Sequence, residues 1–448
     1  MGPRLLHYSD VENALDDPER AGRLAGRLTA RASEDALVVG TGDNTAPGVL
    51  SIATGGRQAL PFFEAVDPDF ETFGNHDFDH GLAATECVVR ESPQQWLTAN
   101  VARDGERFLP DATAPWALRT VAGARVGLVG VTCPDARYNP SAAALSFEDP
   151  FDAVAGTADA LRSRGADYVV VLSHLGRDDE RLAVTCDVDA ILGGHRHDEV
   201  IERVEGTIVA RPGANGHVVT EVDLGAGTAT RHEVAGAPVN EDLAAELRAL
   251  REEAGLDEVV ARVADPIERS ESRVHRGESR IGNLVADAYR WATGADVGLQ
   301  NSGGIRAGDP LSGDVTVADL LAVVPFEEPV SVAEVSGTEL REVVAQASGA
   351  NLSFGDPDWW HGHFSGLAVT WDDDERAVET LSIDGDPVRD DAIYTVATSD
   401  FLFYTDGEFP ALDASHRVET GSLQYEVLAD YARNEGIDPS IEGRIVRR

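Results

Sequence analysis

The sequence predicts an α/β chain of two domains, and three observations carry that expectation. At 448 residues the chain is long enough for two or three units of ~100–200 residues each. In its first half, short apolar runs that end in polar or glycine-rich residues alternate with helical stretches, the pattern of a layered α/β domain. A charged amphipathic stretch from Asn240 to about Asp265 then interrupts that rhythm and reads as a bridge between domains.

The elements follow in order. Arg4–His7, Ala36–Gly40, Arg125–Val131, Tyr168–Ser173 and Ala190–Gly193 read as buried strands, and Phe151–Ser163 as a helix between two of them. Thr207–Ala210 and His217–Leu224 are strand-like and are expected to close the sheet. Beyond the bridge, Ile281–Thr293 is helical, Val297–Gln300 a strand and Val317–Ala322 a helix start. The resulting division is 1–236 for the first domain, 237–265 for a linker helix and 266–448 for the second.

Charge narrows the chemistry. Asp+Glu number 79 against 37 Lys+Arg, a formal charge of −42, and every Lys+Arg position is arginine. Without lysine there is no Walker-type phosphate loop, no Schiff base and no lysine general base. A chain this acidic lacks the basic face that polymeric nucleic acid requires. Apolar residues still make up 42%, so the acids coat a globular core. Such a surface suits concentrated salt, where self-repulsion is screened over ~3 Å at 1 M, and the expectation is a halophilic protein. Cys87, Cys133 and Cys186 are odd in number and far apart, which supports neither a disulfide framework nor a cysteine zinc site. The start, Met1-Gly-Pro-Arg-Leu-Leu-His, has no apolar signal region, and no run approaches ~18 apolar residues, so a soluble, cytoplasmic protein without membrane partners is expected.

Five polar clusters sit at the ends of apolar runs, where α/β folds gather their sites. They are Asp10, Asp43, Gly74-Asn75-His76-Asp77-Phe78-Asp79, Ser173-His174 and Gly193-Gly194-His195-Arg196-His197. Asp, Asn and His offer hard oxygen and borderline nitrogen donors, suited to Mn, Zn, Fe or Mg. Two ions ~3.5–4 Å apart need a bridging ligand and several further donors, and Asp10, Asp43, Asn75, His174, His195 and His197 supply six. The His-x-His can aim both imidazoles at one site, or one at metal and one at substrate.

These residues resemble the calcineurin-like metallophosphoesterases, in particular the 5′-nucleotidase/2′,3′-cyclic-nucleotide phosphodiesterase family. The family order is Asp-x-His, Gly-Asp, Gly-Asn-His-Glu-Phe-Asp, Ser-His and Gly-His-x-His. The likeness continues through Arg276-Gly-Glu-Ser-Arg-Ile-Gly-Asn-Leu-Val-Ala-Asp287, Asn301-Ser-Gly-Gly-Ile-Arg306, Pro325-Phe326 and Phe364-Ser-Gly366, which are similar to the family's nucleotide-binding C-terminal domain. The resemblance implies a four-layer α/β/β/α catalytic domain with two divalent ions, followed by an α/β substrate domain. It assigns Asp43 as the bridge, Asp10 and His197 to one ion, Asn75, His174 and His195 to the other, and His76 with Asp79 as the catalytic pair. It also implies that Arg276 and Arg306 grip anionic groups, Asn301 meets the base, Phe326 and Phe401 stack on it, and Asp406 accepts from the ribose.

Two departures stand out. Glu12 replaces the family's first histidine, and is either an oxygen ligand favouring Mn or Mg or a residue turned away. Phe401-Leu-Phe-Tyr-Thr-Asp-Gly407 lacks the family's paired glycines, and Trp359-Trp360-His361-Gly-His363 either lines a remodelled pocket or forms a partly exposed loop. The expected function is metal-dependent hydrolysis of a nucleotide, most simply a 5′-monophosphate. Cyclic nucleotides, diphosphates, sugar nucleotides and thiosulfonate esters are alternatives within that chemistry, and a nucleotide sensor with an impaired centre is the rival outside it.

Overall fold

The computed structural model describes residues 2–352, 355–405 and 407–448. It divides into two compact units, Met1–Ala254 and Gly255–Arg448.

Among the described residues, the first unit holds a seven-stranded and a six-stranded sheet. Arg4–Tyr8, Ala36–Gly40, Phe70–Thr72 and Gln95–Leu97 run parallel in one, while Ala124–Thr132, Tyr168–His174, Ala190–Gly193 and Thr207–Pro212 run parallel in the other. The inner faces bury Leu5, Val39 and Phe70 from the first sheet with Leu128, Leu172 and Leu192 from the second. Near-continuous apolar runs suit strands covered on both faces, which explains why their ends were so legible. Helices such as Pro18–Thr29 and Pro150–Ser163 supply the outer layers. Asp17 caps the first by accepting from the backbone N–H groups of Glu19 and Arg20, with Pro18 at its first position.

The expected linker helix is divided. Glu241–Glu253 is a helix of the first unit, whereas Val259–Ile267 is a strand of the second, paired antiparallel with Leu311–Thr316. The segment before that helix lies directly on Pro18–Thr29: Asn240 N–H donates to Gly22 O at 2.9 Å, and Arg23 Nη1 to Ala237 O at 2.7 Å. A Cβ on Gly26 would stand 1.9 Å from Pro238 O, so only glycine admits this approach. The charged pattern of the helix was visible in the sequence, but this contact, which fastens it, was not.

The second unit has a five-stranded sheet ordered Gly362–Ser365, Val297–Asn301, Ile393–Ser399, Pro329–Ser336, Arg417–Leu423, and a four-stranded sheet around Leu367–Asp372. Its core gathers Leu299, Val344, Trp360, Phe364, Trp371 and Phe409. Helix Arg280–Thr293 covers the larger sheet, with Ser279 capping its start.

Candidate metal centre and ligand-binding residues

Asp10, Asp43, Asn75 and His195 each follow the carboxyl end of a strand of the two parallel sets by one or more residues, and His174 ends its own. The turns are unusual in their backbone. Asp10, Glu12, Asp43 and His195 all have positive φ, between 45° and 69°. A side chain in that region costs on the order of 1–3 kcal/mol, so surrounding bonds must hold it. They do: Asp10 N–H donates to Gly42 O at 3.0 Å, Glu12 N–H to Asp43 O at 3.3 Å, and His195 N–H to the Asp10 carboxylate at 3.0 Å.

The side chains converge in two groups. Asp43, His174 and His195 present ligand atoms within 4.8 Å of one another, and so do Asp10, Glu12 and His197. Asn75 joins the first group through its Oδ1, 2.8 Å from His195 Nδ1. Glu12 does not turn away: it is buried, with Oε1 3.0 Å from His197 Nε2. His174 Nδ1 donates to the Thr41 carbonyl at 2.7 Å, which leaves Nε2 facing Asp43 Oδ2 at 3.0 Å. A backbone carbonyl that orients the far nitrogen is how metal-binding imidazoles are held.

Electrostatics fits cations at this place. Burial, reinforced by Asp43 and Asp10, raises Glu12 to about 8. Burial, only partly offset by His174, raises Asp10 to about 7. Asp43 is held low, at about 2, because His174 and His76 outweigh its burial. Three acids crowded among imidazoles, with oxygen and nitrogen donors only, make a hard to borderline divalent site.

Asp77, which the sequence reading left without a role, staples the loops. Its Oδ2 accepts from Asp43 N–H at 3.0 Å and Gly74 N–H at 2.7 Å, and its Oδ1 accepts from Thr45 N–H and the Thr45 hydroxyl. Gly74 is required because a Cβ there would meet Asp43 Oδ1 at 2.0 Å.

His76 and Asp79 meet at 2.8 Å through Nδ1 and Oδ2, with the imidazole partly exposed. Burial works against its charge, but the hydrogen bond to Asp79 and the nearby carboxylates raise His76 to about 9. The pairing through Nδ1 turns Nε2 away from Asp79. Thr41 carries no motif of its own, and Asp77 gives no sign of its partners, so only the folded chain reveals what they do.

In the second unit, the Arg306 guanidinium lies 4.8 Å from the centre of the Phe326 ring and donates to Gly303 O at 3.0 Å. Asn301 is buried, its Nδ2 donating to Glu408 at 2.7 Å and its Oδ1 accepting from Gln300 at 2.9 Å, so both ends of its amide are engaged. Arg276 is exposed in the turn before helix Arg280–Thr293. Phe401 projects, 37% exposed, from the turn Asp400–Phe403, while Phe403 and Phe409 are core residues. The aromatic crowding in that segment thus divides between surface and core. Asp406 lies outside the described residues. Of Trp359-Trp360-His361-Gly362-His363, considered as a partly exposed loop, Trp359 is half-buried, but the other four are buried and Gly362–Ser365 is a strand, which corrects that expectation. His361 Nε2 lies 2.6 Å from Glu408 Oε2.

The calcineurin-like phosphoesterase model matches residues 3–199, and the model of the 5′-nucleotidase C-terminal domain matches 259–414. The chain joins a calcineurin-like phosphoesterase domain to a 5′-nucleotidase C-terminal domain. The phosphoesterase domain is the two-sheet unit carrying both donor groups, and dinuclear divalent centres are the property of that family. Along its whole length the chain resembles the crystal structure of a 5′-nucleotidase precursor from Thermus thermophilus, at TM-score 0.73 and 25% identity over 99% of each chain. It is 26% identical to the trifunctional nucleotide phosphoesterase protein YfkN of Bacillus subtilis (strain 168), over 98% of this chain and 34% of that protein. It therefore spans about a third of that relative's length. An apyrase of Tabanus yao is 26% identical over 86% of this chain and 79% of its own.

Proposed function

We propose that the chain is a metal-dependent phosphohydrolase acting on nucleotides, most simply converting a nucleoside 5′-monophosphate to nucleoside and phosphate. The observation that carries this reading is the His76–Asp79 pair on the loop that also supplies Asn75 to the donor groups. Asp43, Asn75, His174 and His195 would hold one ion, and Asp10, Glu12 and His197 the other. Divalent ions held there would supply Lewis-acid polarisation of the phosphoryl group and activation of water near neutral pH. His76 then holds a proton at Nε2 for the leaving oxygen, and Asp79 keeps the ring oriented. In the second unit, the Arg306–Phe326 pair presents a charged, flat surface suited to a nucleotide. The oxygen-rich group around Glu12 favours Mn or Mg at that position.

The test is phosphate release from a panel of nucleoside mono-, di- and cyclic phosphates with Mn in high salt. The expected result is turnover, fastest on a 5′-monophosphate. Nucleotide binding without any phosphate release would replace the hydrolase with a sensor.

We also propose, from the −42 charge and the arginine-only surface, that the protein works in concentrated salt. Its melting temperature should rise steeply with salt, and a melting temperature indifferent to salt would refute this.

A further inference from the structure

The pair of His76 and Asp79 has a third member. Asp79 binds His76 through Oδ2, and its other oxygen, Oδ1, accepts from Asn139 Nδ2 at 2.7 Å. The same amide nitrogen lies 3.5 Å from the Asn75 carbonyl. Asn139 is itself fixed, because its Oδ1 accepts from Ser141 N–H at 2.9 Å and caps the turn Pro140–Ala142. Ser141 Oγ donates to the Asp79 carbonyl at 3.1 Å, so the segment grips Asp79 by side chain and backbone. This segment follows strand Ala124–Thr132 and reaches the pair from 60 residues away in sequence.

The second anchor matters because Asp79 is not buried: its side chain is 31% exposed. A carboxylate bound through one oxygen, with the other in water, swings about its side-chain bonds and carries the imidazole with it. With both oxygens held, the carboxylate plane is set and the direction of His76 Nε2 is set with it. An amide donor achieves this without removing the carboxylate's charge, whereas an arginine there would compete with His76 for it.

We propose that Asn139 is a positioning residue that aims the His76 imidazole by holding Asp79. This rests on the hydrolase reading above. In the reaction the ester P–O bond breaks and its electron pair stays on the leaving oxygen, which takes the proton from His76 Nε2. The attacking water leaves its hydroxyl on phosphorus, and its other proton restores the imidazolium. Misdirection of Nε2 therefore harms a leaving group that must be protonated and spares one that departs as an anion.

The experiment compares wild type with the near-isosteric Asn139→Asp, which sets a second carboxylate against Asp79, and with Asn139→Ala. Turnover is measured on a nucleoside 5′-monophosphate, whose alkoxide needs the proton, and on p-nitrophenyl phosphate, whose phenolate does not. The expected result is a kcat loss on the order of 100-fold on the nucleotide, with KM unchanged and a loss within about 3-fold on the aryl ester. Bound metal and melting temperature of Asn139→Asp should match wild type, which keeps the comparison valid if the alanine variant folds poorly. Equal losses on both esters, a loss confined to KM, or full activity on the nucleotide would overturn the proposal. Wild-type enzyme that hydrolyses neither ester would instead remove the hydrolase reading, so the two failures are told apart.

Discussion

The two units build their candidate sites from opposite materials. In the first, the donors are mostly buried carboxylates and imidazoles on strand-end turns, four of them with left-handed backbone, tied by backbone hydrogen bonds and by the Asp77 staple. In the second, Arg276, Arg306 and Phe401 are exposed, and the firmly held polar group is Asn301 against Glu408 and His361. The difference fits the work proposed for each. Groups that hold cations and deliver a proton must be in place before the substrate arrives, so their cost falls on folding. Groups that grip a flexible anion can be ordered by the ligand, at a cost in affinity.

Substitutions can break or sharpen that contrast. The largest effect is expected at His76: alanine there should lower kcat by about 10²–10⁴-fold while both ions remain bound, as read by turnover and metal content. Loss of metal together with activity would show that His76 is a ligand and not an acid. Next is Glu12→Ala, which should reduce bound metal from two ions to one in protein purified with excess Mn; an unchanged count rejects Glu12 as a ligand. A smaller effect belongs to the second unit. Arg306→Lys keeps the charge but loses the planar stack on Phe326, and should raise KM by roughly 10-fold with kcat nearly unchanged. A fall in kcat instead would mean that this region, too, acts on the transition state.

The smallest change tests structure without chemistry. Glu221 joins Arg4 at 2.7 Å, Arg31 at 2.6 Å and His232 at 2.9 Å, and none of the four is in either donor group. Burial opposes its charge, but the bonds to Arg4 and Arg31 hold it below the ordinary carboxylate range. A depressed carboxylate stabilises the fold above its unfolded pKa, and that stability is lost as pH falls through its folded value. Glu221→Gln should thus cost roughly 1 kcal/mol near neutral pH, seen as a melting shift of about 2–4 °C, and the shift should shrink in acid. Metal content and turnover should not move.

Much of the phosphoesterase domain was legible because its strands are apolar on both faces and each ends in the residue that matters. Ala36–Gly40 and Ala190–Gly193 are strands with the bounds the sequence suggests, and Asp43 and His195 follow them. The second unit was harder to read. Four aromatic rings crowd one short segment, but Phe403 and Phe409 went to the core while Phe401 and Tyr404 stayed outside. An alternating or apolar run specifies a strand, yet an irregular turn carries no period from which to infer which ring faces inward.

By itself, then, the sequence determined the strands, their polar ends and the identity of the donor atoms, because these depend on local pattern and residue chemistry. Only the tertiary structure decided that Glu12 faces His197, that Asp77 staples two loops and that Asn139 reaches Asp79. Those are contacts between turns far apart in the chain, made possible by left-handed residues and glycines whose need appears only when the loops come together.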